Sequence, residues 1–270
     1  MKLAFSTLGC PRWSLEQVIR AALRFGYAGV ELRCLDGEVD LLRLPEFQPG
    51  EIADTRARFE HHALEVSCVD TSACFHAVDG TIRRENVDVA TRYGELAAAL
   101  GSPLIRVFPN EVPEGSSREE TGHRIAESLH ALAERLPPEV TVALETHGDF
   151  ATGAAVADIV RLADHPAVGI VWDAANTTAA GEPVAAAADA VTSRLVHVHL
   201  RDARPVAGQR FWQPVLAGRG LVPFDQVIAA LDRIGYARAV SFEWEKFWHP
   251  EIEEPEIALE DFTRSVASAA

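Results

Sequence analysis

The chain has 270 residues, is 48% hydrophobic and carries a formal net charge of −15. That length fits one large domain, because α/β barrels commonly run to about 250 residues as a unit. No apolar run approaches the about 18 residues of a membrane span. An acidic surface repels polyanions, so neither nucleic acid nor an anionic membrane is an expected partner. Lys2 precedes only a short apolar run before Ser6, Thr7 and Gly9, which is too short for a secretory signal. Cys10, Cys34, Cys68 and Cys74 include no pair spaced by two residues. Reduced thiols in a soluble, cytoplasmic protein are therefore expected.

In chain order, eight β-rich runs appear at 3–7, 28–32, 65–70, 104–108, 140–146, 168–173, 195–200 and 239–244, each followed by an amphipathic stretch. Such alternation predicts a parallel sheet wrapped by helices, and eight strands with right-handed crossovers close a barrel. Ser14 with Gln17 and Ser117 with Glu120 have capping-box spacing, so helices start there. Gly26, Gly101 and Gly235 stand where helices should stop. An open doubly wound sheet would want a glycine-rich phosphate turn after the first strand, and the residues from Thr7 to Pro11 do not supply one. No low-complexity linker divides the chain, so a single (β/α)8 TIM barrel over 1–270 is expected. The long loops at 33–48 and 201–223 are the expected carriers of function.

Barrel active sites lie at the C-terminal strand ends. The last four runs all close on ligand chemistry: Glu145 and His147, then Asp173, then His197 and His199, then Glu243 and Glu245. A lone acidic residue at a strand end reads as a helix cap or a surface charge; four successive strand ends do not. Carboxylates with one histidine form a hard, oxygen-rich set, for which Mn²⁺ is the first expectation and Mg²⁺, Co²⁺ or Zn²⁺ are alternatives. His197 and His199 share a facing. His199, nearer the strand end, is expected at the metal, and His197 as a hydrogen-bonded core residue.

The stretches LETHG at 144–148, WDAAN at 172–176, HVHLRD at 197–202 and FEWEKFWHP at 242–250 resemble the xylose-isomerase-like barrel superfamily, in its sugar phosphate isomerase/epimerase branch. The layout is similar over the whole chain, the motifs over its C-terminal half. The resemblance implies one divalent metal held by Glu145, Asp173, His199 and Glu243, and favours Glu243 over Glu245. It also implies that Glu145 and Glu243 act as the proton-transfer pair, and it carries the expectation of a homodimer or homotetramer. The chain departs from the epimerase pattern in two places: Asn176 stands where a substrate-touching histidine is usual, and Pro205 where an arginine is usual, although Arg201 and Arg204 are close. Substrate recognition must therefore differ.

His147, Asn176, Arg201, Glu31, His76 and Arg106 are the expected substrate-binding residues, with Arg33 beside Glu31 as a further lining residue of the same polar pocket. For His147, substrate contact and support of a ligand stand equal. Arg201, Arg204, Arg210 and Arg219 crowd the loop after the seventh strand, as either a phosphate or carboxylate clamp or a solvated loop. Trp244, Phe247 and Trp248 are expected to seal the mouth. The leading function is isomerisation or epimerisation of a small carbohydrate (a sugar, sugar phosphate or keto-polyol) through a metal-stabilised ene-diolate. The alternatives are a dehydratase or other lyase of a keto-sugar or inosose, a phosphodiesterase like the superfamily's DNA-repair endonuclease, and a non-catalytic sugar-binding barrel.

Overall fold

The computed structural model describes residues 1–269. Its strands are β1 (Lys2–Ser6), β2 (Gly29–Leu32), β3 (Glu65–Cys74), β4 (Leu104–Phe108), β5 (Thr141–Glu145), β6 (Val168–Asp173), β7 (Leu195–Leu200), β8 (Asp202–Arg204), β9 (Gln213–Val215) and β10 (Ala239–Phe242). All but β8 and β9 form one closed parallel barrel in the order β1-β10-β7-β6-β5-β4-β3-β2. Each of the eight expected runs is a barrel strand. Around them lie α1 (Leu15–Phe25), α2 (Ile52–His61), α3 (Gly80–Leu100), α4 (Arg118–Ala133), α5 (Gly153–Ala163), α6 (Ala174–Ala179), α7 (Val184–Val191), α8 (Phe224–Arg233) and α9 (Pro255–Ala269). Both capping boxes form, at Ser14 and at Ser117. Gly26 and Gly101 end α1 and α3 in the left-handed region, at φ of 75° and 74°.

Alternation along the strands sorts chemistry to two sides. One parity, including Val30, Leu32, Val107, Leu144, Trp172, Val198 and Phe242, belongs to the hydrophobic core under the helices. Each such side chain contributes about 1.5–3 kcal/mol of burial free energy. The other parity turns Glu31, Arg106, Glu145, Asp173, His197 and His199 inward, where all are buried. The barrel interior is thus charged, and the apolar layer outside it supplies the stability that a charged interior does not.

Two local devices aim the exit loops. Phe242 stacks on Phe262 of α9 at 4.3 Å between centroids, and Trp244 stacks on Phe242 while its Nε1 donates to Glu253 O at 3.0 Å. With both neighbours held outward, Glu243 between them turns into the mouth. The long loop after β7 contains the β8–β9 hairpin. Its base is tied by Asp202, whose carboxylate accepts from the backbone N–H groups of Ala203, Gly220 and Val222 at 2.8–3.1 Å. Gly220 is needed there because a Cβ would collide with Asp202 Oδ1.

Asp202→Ala strands two buried backbone donors and a third part-buried one, so it should lower stability by about 2–4 kcal/mol. That corresponds to a thermal midpoint roughly 5–15 °C lower in a scanning-calorimetry comparison with the parent. A drop under about 2 °C would mean that the hairpin does not depend on this carboxylate.

Candidate metal centre

Four adjacent strands each deliver one donor to the mouth: Glu145 ends β5, Asp173 ends β6, His199 lies in β7 and Glu243 follows β10. All four are buried, and one ligand atom from each lies within 4.8 Å of the others. Donors on opposite sides of one ion are separated by twice a bond length of about 2.0–2.4 Å. That is the widest separation two donors of one ion can have, so the four side chains have to close inward to enclose a divalent cation. His199 Nδ1 and Glu145 Oε2 are buried without a hydrogen-bond partner. Asp173 Oδ1 caps α6 by accepting from the Asn176 N–H at 2.8 Å, while Oδ2 accepts from Arg201 Nη2 at 3.4 Å. Three carboxylates and an imidazole suit a hard or borderline divalent ion.

Glu31 orients this set from across the barrel. Its Oε2 accepts from His197 Nε2 at 2.6 Å and from His199 Nε2 at 2.9 Å. With the Nε2 proton committed, His199 Nδ1 faces Glu243 Oε1 at 3.4 Å and Glu145 Oε1 at 3.8 Å. A ligating histidine characteristically donates its second ring N–H to a carboxylate in this way. Burial alone would push the Glu31 carboxyl up, but the two imidazoles outweigh it and hold it well below the usual range. The group Glu31, His197 and His199 also has ligand chemistry, yet its contacts have hydrogen-bond lengths to one shared oxygen. His61, His62, His76, His123 and His249 join neither group.

Two arginines offset the acidic cluster. Arg106 reaches Asp70 at 2.9 Å and Glu145 at 3.3 Å. Arg201 lies 3.4 Å from Asp173, 3.5 Å from Glu243 and 3.3 Å from Glu245. Burial works against the ionised Glu145, but Arg106 and His199 prevail and set its pKa to about 2. For Asp173 burial wins over Arg201, with Glu243 and Glu145 adding repulsion, and the pKa rises to about 6. Burial likewise lifts Asp70 to about 7 in spite of Arg106.

Above this floor opens a cavity of about 550 Å³ lined by Arg33, Arg106, Glu145, His147, Asn176, Arg201, Phe211, Glu243 and Trp248, among others. His147 packs tilted against Phe108 and stacks on Phe211, at centroid distances of 4.8 and 6.3 Å. Asn176 donates to Thr146 O, and its Oδ1 accepts from Arg201 at 3.3 Å. Trp244 is buried in the core against Phe242 and does not line the cavity, whereas Trp248 does and stands 56% exposed.

Two expectations are corrected. Glu31 is not a cavity wall, because both imidazoles cover it from below the mouth. His76 is not one either: β3 runs on to Cys74 with a break in register between Asp70 and Cys74, which carries His76 beyond the mouth. Asp70 was missed, although it turns inward near the middle of β3 as the other site acids do near the ends of their strands. The aromatic wall of Phe108 and Phe211 gave no sequence signal.

Residues 19–265 match the family described as xylose isomerase-like TIM barrel. The chain belongs to that family. Inosose isomerase of Bacillus velezensis is 25% identical over 252 residues, covering 90% of this chain and 88% of the relative. The corresponding inosose isomerase of Halalkalibacterium halodurans is 25% identical over 226 residues, covering 81% and 78%. Among solved structures, a zinc-bound IolI protein superposes with a TM-score of 0.83 at 20% identity, covering 100% of this chain and 98% of that one. A probable 3-DHS dehydratase of Bacillus anthracis, AsbF, reaches 0.78 at 18% identity, covering 99% of each chain. Its fold is thus shared with an IolI protein and with a probable dehydratase.

If Glu31 sets the facing of His199, Glu31→Gln should weaken Mn²⁺ binding by about 10–100-fold in calorimetric titration of metal-stripped protein, with the fold kept. Unchanged affinity would show that His199 is aimed by packing alone.

Proposed function

We propose that the chain is a divalent-metal-dependent isomerase or epimerase of a small polyhydroxy carbonyl compound, a sugar or keto-polyol, working by proton transfer at the carbon beside the carbonyl. The observation that carries this reading is the convergence of Glu145, Asp173, His199 and Glu243 on one point at the floor of the cavity. The names of the inosose isomerase relatives support the same reaction class. A bound divalent ion, Mn²⁺ first and Mg²⁺, Co²⁺ or Zn²⁺ in its stead, would supply Lewis-acid stabilisation of negative charge on the substrate's oxygens.

The chain's own residues do the rest. Glu145 and Glu243 come from β5 and from the end of β10, with β6 and β7 between them, so they approach the centre from two sides. One carboxylate takes the proton from carbon and the other returns it. Arg106, at 3.3 Å, keeps Glu145 ionised, as a base must be. His147 and the Phe211 ring form one wall, while Asn176 and Arg201 present polar groups to the substrate's hydroxyls.

With Mn²⁺ and a panel of ketoses, inososes, 3-keto sugars and polyhydroxy keto acids in deuterated water, deuterium should enter beside the carbonyl of at least one compound. The product should keep its mass apart from the label, since loss of one water would identify a dehydratase instead. Absence of exchange across the panel contradicts the proposal. Glu145→Gln and Glu243→Gln should each lower turnover by about 10²–10⁴. His199→Ala should lose activity through metal loss and regain part of it at high Mn²⁺.

A further inference from the structure

Four arginines line the cavity, and three of them are committed. Arg106 pairs with Asp70 and Glu145, Arg201 with Asp173, Glu243 and Glu245, and Arg210 with Asp149 at 2.7 Å and Glu111 at 3.8 Å. Arg33 differs. It is 5% exposed, and among the described residues no carboxylate lies within ion-pairing distance of it. Its Nη2 donates to the Ser72 hydroxyl at 2.8 Å, while its Nη1 is buried with no hydrogen-bond partner at all. Its backbone N–H is pinned to Thr7 Oγ1 at 2.8 Å, so the side chain starts from a fixed point.

A buried guanidinium without a counter-ion is costly, because burial removes its hydration and a single hydroxyl replaces only part of it. Burial and the neighbouring Arg106 both push its pKa down from the ordinary arginine value, with Asp70 only partly opposing. Arg33 is one of the residues that line the cavity, so a counter-ion can reach it from there. Arg33 follows β2, which stands opposite β6 in the eight-strand ring, so it faces the Asp173 side of the centre across the mouth.

Resting on the isomerase reading above, we propose that the substrate is a polyhydroxy keto acid whose single carboxylate is bound by Arg33 while its carbonyl end lies over Glu145 and Glu243. A fork of guanidinium N–H donors matches a planar carboxylate. A phosphate dianion would call for a second uncommitted cation, and the other three lining arginines are already paired. A neutral polyol would leave the Arg33 charge buried and uncompensated.

The test uses ligands that cannot react, so it is independent of turnover. Calorimetric titration of the Mn²⁺-loaded protein compares D-gluconate, D-glucitol and 6-phospho-D-gluconate, in the parent, Arg33→Met and Arg33→Lys. Gluconate should bind at least tenfold more tightly than glucitol in the parent. That preference should vanish in Arg33→Met and return in part in Arg33→Lys, with phosphogluconate gaining less than tenfold over gluconate. Equal affinity for gluconate and glucitol in the parent, no gluconate binding, or a preference that survives Arg33→Met overturns the proposal. A further tenfold gain for phosphogluconate that Arg33→Met abolishes also overturns it, in favour of phosphate. Should Arg33→Met fail to fold, Arg33→Lys and the parent ratios still decide. Failure of the isomerase reading shows separately, as absent deuterium exchange.

Discussion

One carboxylate oxygen, Glu31 Oε2, holds two imidazoles inside the barrel, and the geometry of the mouth follows from it. β2 and β7 are not neighbours in the ring, so this contact spans the interior and ties one half of the barrel to the other. By accepting hydrogen bonds from Nε2 of His197 and of His199, it turns His199 Nδ1 toward Glu145 and Glu243. The same histidine with Nε2 free would present either nitrogen.

A charged interior of this kind must be balanced locally, because each unpaired buried charge costs several kcal/mol. Arg106 and Arg201 do this on two sides, each bridging the ligand carboxylates to a further acid, Asp70 or Glu245. The apolar face of every strand, packed under the helices, holds the chain in the register that makes the balance hold.

Much of this was legible in the sequence because barrels write their pattern in period two. The runs at 104–108, 168–173 and 195–200 coincide with β4, β6 and β7, and Glu145, Asp173, His199 and Glu243 converge because each stands at or near a strand end with inward parity. His197 is hydrogen-bonded in the core, as its position below His199 requires. What parity cannot give is depth and distance across the barrel. Glu31 and Arg33 share a facing, yet one lies beneath the imidazoles and the other lines the cavity. The register break in β3 has no local sequence mark, so His76 was expected at a mouth that it has already passed. Pairing between loops, such as Arg210 with Asp149, is equally silent in a linear reading.

The central claim is that one ion sits among four named donors with His199 ligating through Nδ1. Anomalous diffraction from crystals soaked in Mn²⁺ tests it most directly. The account predicts a single peak at bonding distance from Glu145, Asp173, Glu243 and His199 Nδ1, with His199 Nε2 still on Glu31. A peak among Glu31, His197 and His199, or ligation through His199 Nε2, would contradict it.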